Sequence, residues 1–585
     1  MFMKHDLFRK KTLEDINRDV AAGLADEHGT GKMHKVLTTR DLTLMGIAAI
    51  VGAGIFSTIG KASFDGGPGI ILLFLFVSVA CGFSAICYAE FASMVPVSGS
   101  AYTYSYVAFG EIIAWIIGWD LLMEYAIGNI AVAISWSDYF TSLINSIHIG
   151  SFRLHIPEYL ATDYWTAKNG AINMKLIHII PWMADKWVES KAAIDTANTA
   201  WMNAPAIGSF RFICNLPAFL ITFIITWIIY IGIKESRKTT NVMVILKLAI
   251  IILVIIAGAF YVHPINWHPF LPNGIKGVLA GTSAVFFSYI GFDAISTTAE
   301  ECKDPQRDLP KAMFNSLIIC TIIYVVIALV LTGMVSYKEL NIGDPMSYVF
   351  TAMHNKYAEW ISGIIAISAV IAMASVLLVY QLGQPRIWMS MSRDGLLPPI
   401  FAKIHPKYKT PSFSTILTGI LVGIPALFMN LTVVVDLTSV GTLFAFVLVC
   451  GGILKLQNSS HRLQSKFKTP YVNGKFIIPA MFVLSLVLVW KFGLGKLSIT
   501  NIPSNLLMEN MHYILFGIVF LITSILAYKN SYSLIPALGF LCCTYLLCES
   551  GTTNWLRFII WLFVGLGLYF VYGFWNSKLT AKNKK

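Results

Sequence analysis

The sequence predicts an all-α integral membrane protein with about fourteen transmembrane helices. Hydrophobic residues make up 56% of its 585 residues and charged residues only 13%, whereas a soluble protein draws about a quarter of its residues from the charged types. The apolar residues also form long blocks, such as 70–89 and 248–262. About 20 apolar residues in a helix cross a hydrocarbon core of about 30 Å, so most of the chain is expected to lie in the bilayer.

Fourteen spans follow from these apolar runs. The predicted ranges are 42–60 (span one), 69–94 (two), 104–140 (three), 213–233 (four), 240–262 (five), 276–300 (six), 312–335 (seven), 357–392 (eight), 411–430 (nine), 432–456 (ten), 474–495 (eleven), 512–529 (twelve), 533–549 (thirteen) and 554–575 (fourteen). The predicted units are an N-terminal segment 1–40, a first half 41–262, a second half 263–456, four C-terminal helices in 457–575 and a tail 576–585.

Lysine and arginine are concentrated in alternate loops, which is typical of cytoplasmic segments. These positions are Lys234, Arg237, Lys238, Lys303, Arg307, Lys311, Arg386, Arg393, Lys403, Lys407, Lys409, Lys455, Arg462, Lys466 and Lys468, followed by Lys578, Lys582, Lys584 and Lys585 in the tail. The pattern predicts both termini in the cytoplasm of a protein of the cell membrane. It also explains the net charge of +12 without a nucleic-acid partner. Residues 1–40 are polar and predict no cleavable signal peptide.

Residues 141–212 form a long outer segment with many Trp and Pro residues. Loops of this length usually have a function, and either a cap over the outer face or a partner site would account for it. No metal-ligand spacing appears among the cysteines, and no nucleophile–base set or phosphate loop is visible. We therefore expect no enzyme activity, cofactor or metal.

Two spans carry residues that interrupt a helix in the middle of the membrane. Span one reads IVGAGIF, with Gly52 and Gly54 around Ala53, and span six reads FFSYIGFD, where Ser288 and Gly291 break an apolar run. Irregular backbone at membrane depth is tolerated only where it lines a cavity or is buried in protein. Each break lies in the first helix of a five-helix block, and matched breaks of this kind indicate a transporter site between inverted repeats.

The two breaks offer complementary groups to a ligand. The helix that begins in span one has free N–H groups and a positive dipole end, which suit a carboxylate. The unwound stretch of span six offers carbonyl oxygens to an ammonium group. Together they suit a zwitterionic α-amino acid, although close packing of small residues between helices would also use glycines.

Ionisable residues inside the membrane cost about 2.5–3.5 kcal/mol each on insertion scales, which makes them candidates for function. Lys247 lies about two turns into span five, where it could exchange a proton or extend to the inner surface. Asp120 and Glu124 share one face of span three, where they could line the cavity or pair with each other. Asp293 is interpreted as a partner for freed backbone groups of span six, and Asp436 as an interfacial residue.

At these residues the sequence resembles the cationic amino acid transporter family of the amino acid–polyamine–organocation superfamily. The resemblance rests on GIAAIVGAGIF in span one, FFSYIGFDAISTTAEECKDPQRDLP at 286–310 and GQPRIWMSMSRDGLLPPIFAKIHPKYKTP at 383–411. It covers nearly the whole chain outside 141–212. It implies a five-plus-five inverted-repeat core of the LeuT type, followed by four C-terminal helices.

The resemblance also implies roles for individual residues. The substrate carboxylate would meet Gly52, Ala53 and Gly54. The substrate amino group would meet carbonyls of Ile50, Phe287, Ser288 and Ile290. Lys247 matches a lysine that takes the place of a sodium ion in proton-coupled relatives. Glu124 matches an acidic residue near the pocket, and Met373 with Ser375 of span eight would select the side chain.

The predicted function is proton-coupled amino acid symport by alternating access, with spans one, two, six and seven rocking against spans three, four, eight and nine. Its partners would be the amino acid, protons and membrane lipids, and a small membrane protein partner stays open. An amino acid exchanger without net proton flow and a membrane sensor that binds without translocation are the alternatives. The family name leaves open whether the substrate is cationic or neutral.

Overall fold

The structure is a computed structural model. It describes residues 7–11, 37–94, 100–149, 152–179, 191–208, 210–232, 237–293, 295–296, 302–408, 410–457, 467–492 and 511–579. The predicted N-terminal segment 1–40 and the tail 576–585 lie largely outside these residues.

Helices are present in every predicted span within the described residues, although the helix of span one is interrupted after Ile50 and the α-helix of span six ends at Phe287. In the first half they are α1 (Thr39–Ile50), a π-helical turn (Gly54–Thr58), α2 (Ile59–Gly66), α3 (Ile70–Met94), α4 (Ser100–Ala108), α5 (Glu111–Ser146), α6 (Tyr164–Ile179), α7 (Lys191–Asn203), α8 (Leu216–Ile231) and α9 (Arg237–Ala259). In the second half they are α10 (Gly274–Ala280), α11 (Thr282–Phe287), α12 (Pro305–Met334), α13 (Pro345–Thr351), α14 (Lys356–Arg393), α15 (Ser412–Ala426) and α16 (Leu431–Gln457). The C-terminal helices are α17 (Ile477–Phe492), α18 (Met511–Asn530), α19 (Leu534–Glu549), α20 (Thr552–Leu568), a π-helical turn (Tyr569–Gly573) and α21 (Phe574–Asn576).

Length and apolar composition identify membrane-crossing segments among these helices. Among the described residues, eight helical segments are long and apolar enough to cross a membrane, and four shorter apolar helices accompany them. The protein is therefore an all-helical, multi-pass membrane protein.

Span three differs from its predicted range. Residues 104–140 were expected to form one helix, but the chain turns between α4 and α5 at Gly110, whose φ of 100° is rarely adopted by other residues. A side chain at Gly110 would also meet the Phe8 backbone. Span three therefore starts at Glu111 and runs on to Ser146.

Span three forms the centre of the molecule. In its most apolar 18-residue stretch, 89% of the residues are buried inside the protein. The corresponding fraction in α18 is 22%. A helix surrounded by protein on all sides can carry polar side chains that lipid would not accept. This position is what allows Glu124 to lie in the middle of the bilayer, 2% exposed.

The outer segment folds over the end of the bundle, and we call its described residues between 148 and 213 the roof. Two short hairpins, His148–Ile149 with Phe152–Arg153 and Ala206–Ile207 with Phe210–Arg211, flank α6 and α7. The roof is tied to the loop before span ten by a hydrogen bond from Asn430 Nδ2 to Thr166 Oγ1 (2.7 Å). The cap over the outer face and the partner site both stay predictions for this segment.

On the side of the membrane predicted to be cytoplasmic, both chain ends meet one buried carboxylate. Glu111 accepts hydrogen bonds from Arg9 (2.6 Å and 2.9 Å), from the hydroxyls of Tyr106 and Tyr569 (2.8 Å and 2.9 Å) and from Ser577 (2.5 Å). A buried charge is tolerated only when it is paired and hydrogen-bonded. Glu111 therefore fastens the N-terminal residues to the last helix and to the start of span three.

Candidate functional site

The break in span one is a change of helix type around Gly52. α1 ends at Ile50, Val51 adopts an extended conformation, and the π-helical turn begins at Gly54. The amides of Ile55 and Phe56 both donate to the Gly52 carbonyl at 3.2 Å. Among the described residues no backbone carbonyl accepts from the amides of residues 52–54, so these three N–H groups are the uncommitted start of the outer half-helix.

Span six is broken in the corresponding place. α11 ends at Phe287 and the chain passes through turns to Gly291, whose φ is 115°. The Phe287 carbonyl accepts from the Ile290 amide at 3.3 Å. No backbone amide of the described chain donates to the carbonyls of Ser288 and Ile290, which leaves both oxygens available to a donor.

The two breaks touch each other. A Cβ atom on Gly54 would overlap the Ser288 Cα and lie 2.9 Å from its Cβ and Oγ. A Cβ atom on Gly291 would lie 2.9 Å from the carbonyl carbon and oxygen of Ala49. Glycine is required at both positions because the backbones approach so closely. The expected juxtaposition of the breaks is present in the fold.

A small cavity lies directly on the inner side of this contact. Its volume is about 20 Å³, which is about the space for one water molecule. The lining residues come from spans one, three, six and eight: Ala49, Glu124, Tyr125, Ile290, Gly291, Asp293, Val376, Val379 and Tyr380. Two carboxyls and two phenols therefore line one small cavity between four helices, beside the contact between the breaks.

Lys247 supports the end of α1 from span five. Its side chain is 2% exposed, and Nζ donates to the Ala48 carbonyl at 3.3 Å. Because the carbonyls of a last helical turn lack partners within the helix, an ammonium group is a suitable donor. The lysine is thus directed into the protein beside the break and does not extend to the inner surface.

Two tyrosines hold the halves of span one. The Tyr324 hydroxyl donates to the Ile50 carbonyl at 3.0 Å, and the Tyr139 hydroxyl donates to the Phe56 carbonyl at 2.6 Å. Ile50, expected to offer its carbonyl to a ligand, already binds span seven through this oxygen. One lone pair remains free, since a carbonyl oxygen has two.

The structure separates the remaining predicted residues into two groups. Glu124, Phe287, Ser288 and Ile290 are buried at or beside the contact between the breaks. Met373 is fully buried but does not line the cavity, which Val376 reaches one turn further along span eight. The role of Met373 in selecting the substrate side chain stays a prediction.

Asp120 lies apart from this cavity. It lies one turn away from Glu124 but does not line the cavity, and neither of its carboxyl oxygens has a hydrogen-bond partner within the described residues. It packs instead against Gly441 of span ten, where an added Cβ would lie 2.8 Å from Asp120 Oδ1. The suggested pairing with Glu124 is absent.

Sequence reasoning missed Ala49, Tyr125, Val376, Val379 and Tyr380 as lining residues. The only available signal was helical spacing: Val376 and Val379 follow Met373 at intervals of three, and Tyr125 is adjacent to Glu124. Helical spacing alone does not show which face of a buried helix lines the cavity, because all faces of such a helix are apolar.

A multi-pass helical protein with two touching helix breaks at membrane depth has the architecture of a membrane permease. Sequence comparison gives the family: the profile described as "Amino acid permease" matches residues 37–522, and the C-terminal profile of the same permeases matches residues 532–577. The chain belongs to the amino acid permease family, within the superfamily that the motifs indicated.

Similar proteins include permeases for different solutes. The branched-chain amino acid permease BcaP of Bacillus subtilis is 35% identical over 579 residues, covering 99% of this chain and 100% of the relative. The methylthioribose transporter of B. subtilis is 39% identical over 475 residues (81% and 90%). The vacuolar cationic amino acid transporter 4 of Arabidopsis thaliana is 29% identical over 637 aligned residues (98% and 97%).

Proposed function

We propose that the protein is a secondary active amino acid transporter and that it couples uptake to protons by alternating access. The observation that carries this proposal is the contact between Gly54 and Ser288. It joins two segments with unused backbone groups: among the described residues, the amides of 52–54 and the carbonyls of Ser288 and Ile290 take part in no backbone hydrogen bond. The amides would bind the substrate carboxylate and the carbonyls would bind its ammonium group.

Movement of the breaks is part of the proposal because the cavity of about 20 Å³ is far too small for an amino acid. Spans one and six would separate to admit the ligand, and spans one, two, six and seven would then rock against spans three, four, eight and nine. A LeuT-type five-plus-five repeat with four further helices, fourteen spans in all, would supply this symmetry. Both termini would lie in the cytoplasm of a cell-membrane protein in contact with lipid.

Branched-chain amino acids are the proposed substrates. Ile290, Val376 and Val379 present apolar side chains to the cavity, and a relative that spans the whole chain is named a branched-chain amino acid permease. Glu124 and Asp293 lie at the same cavity and would favour a cationic side chain if either were ionised. The neutral assignment therefore requires both carboxyls to be protonated when the substrate binds.

Lys247 would couple the cycle to protons. Its bond to the Ala48 carbonyl holds the inner half of span one while the ammonium group is charged, and deprotonation would weaken that bond. An exchanger would use the same pocket without this step. The role of Lys247 is thus what distinguishes symport from exchange.

Methylthioribose is a second candidate substrate, because its transporter in B. subtilis shares 39% identity with this chain. It carries neither a carboxylate nor an ammonium group, so it would leave the paired breaks without charged partners. Thermal-shift measurements on the purified protein with the twenty amino acids and methylthioribose separate the two. We expect stabilisation by leucine, isoleucine and valine.

Proteoliposomes test the function itself. With an imposed pH gradient, acidic outside, we expect L-leucine to accumulate above its external concentration, and a protonophore to abolish the accumulation. Counterflow of L-leucine that persists with no response to the gradient would indicate an exchanger. Binding without either uptake or counterflow would contradict transport and support a sensor.

A further inference from the structure

Three large apolar side chains are exposed at one corner of the roof, and we call them the apolar patch. They are Met202 near the end of α7, Ile207 on the following hairpin and Phe212 directly after it, and their exposed fractions are 64%, 85% and 55%. The hairpin keeps them close together, because the Phe212 amide donates to the Pro205 carbonyl at 2.9 Å. An exposed apolar patch on a folded unit indicates an interaction surface.

The roof has a hydrophobic core of its own, to which the patch does not belong. This core includes Ala200, Ala204, Ile213, Tyr159, Tyr164 and Trp201. Ile213 is 4% exposed within it, whereas its chain neighbour Phe212 is exposed. The roof therefore buries its other apolar side chains and leaves the patch on its outside.

The patch continues the lipid-facing side of span four. The exposed residues Leu216, Leu220, Phe223 and Trp227 follow one another at intervals of four, three and four, which places them on one face of α8. An exposed apolar face of a membrane-spanning helix contacts lipid. Phe212 precedes Leu216 by four residues, so their Cα atoms are at most about 14 Å apart. The patch thus begins where the lipid-facing side of span four ends.

The length of span four places the patch at the level of the lipid headgroups. α8 has 16 residues, which extend over about 24 Å, whereas the hydrocarbon core is about 30 Å thick. At the inner end only Gly232 and Ile233 separate α8 from the charged residue Lys234, which marks the interface there. Leu216 therefore lies at or inside the hydrocarbon boundary, and the residues directly before it lie among the headgroups.

Arg211 adds a cation beside the patch. Its guanidinium carbon lies 5.2 Å from the centroid of the Trp201 ring, and Nη1 donates to the Trp201 carbonyl at 2.6 Å. No carboxylate in the described part of the chain forms a salt bridge with it. At a membrane interface tryptophan rings lie at the headgroup level, and a guanidinium group is well suited to bind phosphate.

We propose that the apolar patch is a lipid anchor: Ile207 and Phe212 insert into the membrane leaflet at the outer end of span four, and Arg211 binds a lipid phosphate there. The apolar side chains of interfacial anchors reach about 5–10 Å into the boundary between headgroups and acyl chains. Another part of the roof is held by protein, through the bond from Asn430 to Thr166. The roof is thus attached to both the helix bundle and the bilayer. This inference does not depend on the proposed function.

Spin labels test the contact with lipid directly. Ile207→Cys and Phe212→Cys are labelled in the full-length protein and placed in nanodiscs of phosphatidylcholine and phosphatidylglycerol. The accessibility of each label to oxygen, which concentrates in lipid, is compared with its accessibility to the water-soluble complex NiEDDA. Ala192→Cys is the control, because Ala192 is exposed and lies about 15 Å from Met202 along α7. The native cysteines are mostly buried, and the parent protein provides the background.

We expect oxygen to reach the labels at Ile207 and Phe212 several-fold more readily than NiEDDA does, and the opposite order at Ala192. If NiEDDA reaches all three labels equally well, the lipid anchor is overturned. Low accessibility of the labels at Ile207 and Phe212 to both reagents would also overturn it, and would show that a second copy of the chain or another protein covers the patch.

Arg211→Gln tests the contact with phosphate. A bimane fluorophore on Ile207→Cys is quenched in nanodiscs that contain a phospholipid with a nitroxide on its headgroup. We expect Arg211→Gln to reduce this quenching about twofold or more, and Arg211→Lys to retain most of it because the charge is kept. Lys191→Gln, which removes an exposed cation from the start of α7, is the control and should leave the quenching unchanged. Equal quenching in Arg211→Gln and its parent, or an equal loss in Lys191→Gln, would overturn the role of Arg211.

Discussion

The backbones of Gly54 in span one and Ser288 in span six are in contact in the middle of the membrane. A single methyl group on Gly54 would overlap the Ser288 Cα. Two broken helices therefore meet at their broken points. The small cavity of about 20 Å³ lies on one side of this contact, and a larger cavity of about 500 Å³, lined in part by Ser57, Thr58 and Ala284, lies on the other. Under the proposed function, this contact would be the barrier between the two cavities and the place where the substrate binds.

Substitution of Gly54 by alanine tests that barrier. The added methyl group meets backbone, which cannot move aside by rotation of a side chain, so we expect a loss of stability of about 1–3 kcal/mol and loss of L-leucine uptake. Gly363→Ala in span eight is the matched control, because no heavy atom lies within 4 Å of the added carbon. Melting temperature in detergent and proteoliposome uptake are measured for both. Equal uptake by the two variants would argue against the account.

Lys247→Ala tests the coupling role of span five. The change removes the donor to the Ala48 carbonyl and the only group proposed to exchange a proton. We expect that a pH gradient no longer drives accumulation of L-leucine, so that its internal concentration only reaches the external one, while counterflow persists. Lys276→Ala, at an exposed position, serves as the control and should accumulate L-leucine as the parent does. Undiminished proton-driven accumulation by Lys247→Ala would refute the coupling role.

Arg9→Ala tests the attachment of the N-terminal residues. The Glu111 carboxylate is fully buried, and removing its cationic partner leaves an uncompensated charge, which costs about 3–5 kcal/mol. We expect a clear fall in melting temperature, whereas Lys10→Ala, at an exposed neighbouring position, changes stability by less than about 0.5 kcal/mol. Adding Glu111→Gln to Arg9→Ala should recover part of the loss. No recovery would mean that contacts other than charge hold this segment.

Asp344 gives the protein a pH-dependent stability outside the spans. Burial raises the pKa of Asp344 to about 6, above the value of about 3.9 in an unfolded chain. The folded state thus binds this proton more tightly than the unfolded state. The stabilisation that protonated Asp344 gives the folded state is therefore complete below about pH 4 and is lost as pH rises through about 6. When the pH is raised from 5 to 7.5, the melting temperature of Asp344→Asn should fall less than that of the parent protein. An identical pH dependence in both proteins would show that Asp344 ionises normally.

The helices and the two breaks were predictable from the sequence because their signals are local. Long apolar runs define the spans, and Gly52, Gly54 and Gly291 interrupt them where a span would otherwise use Ala or Leu. The turn at Gly110 was missed because the residues on both sides of it are apolar and helix-forming. Its reason is tertiary, since the Phe8 backbone occupies the space of a side chain.

The lining of the site was only partly predictable. Glu124 stands out as a carboxyl in an apolar span, but the sequence cannot distinguish Met373 from Val376, because both lie on a buried helix without a polar face. Asp120 and Glu124 are four residues apart, but the neighbouring helices give them different surroundings. Asp120 packs against Gly441 of span ten, whereas Glu124 lines the cavity beside the break in span six.

The position of bound L-leucine in an experimental structure of the purified protein tests the central claim most directly. The account predicts the carboxylate within hydrogen-bond distance of the amides of residues 52–54 and the ammonium group at the carbonyls of Ser288 and Ile290. Gly54 and Ser288 should be further apart than in the empty protein. Spans one and six that run as uninterrupted helices past these residues, or leucine bound elsewhere with the Gly54–Ser288 contact intact, would contradict it.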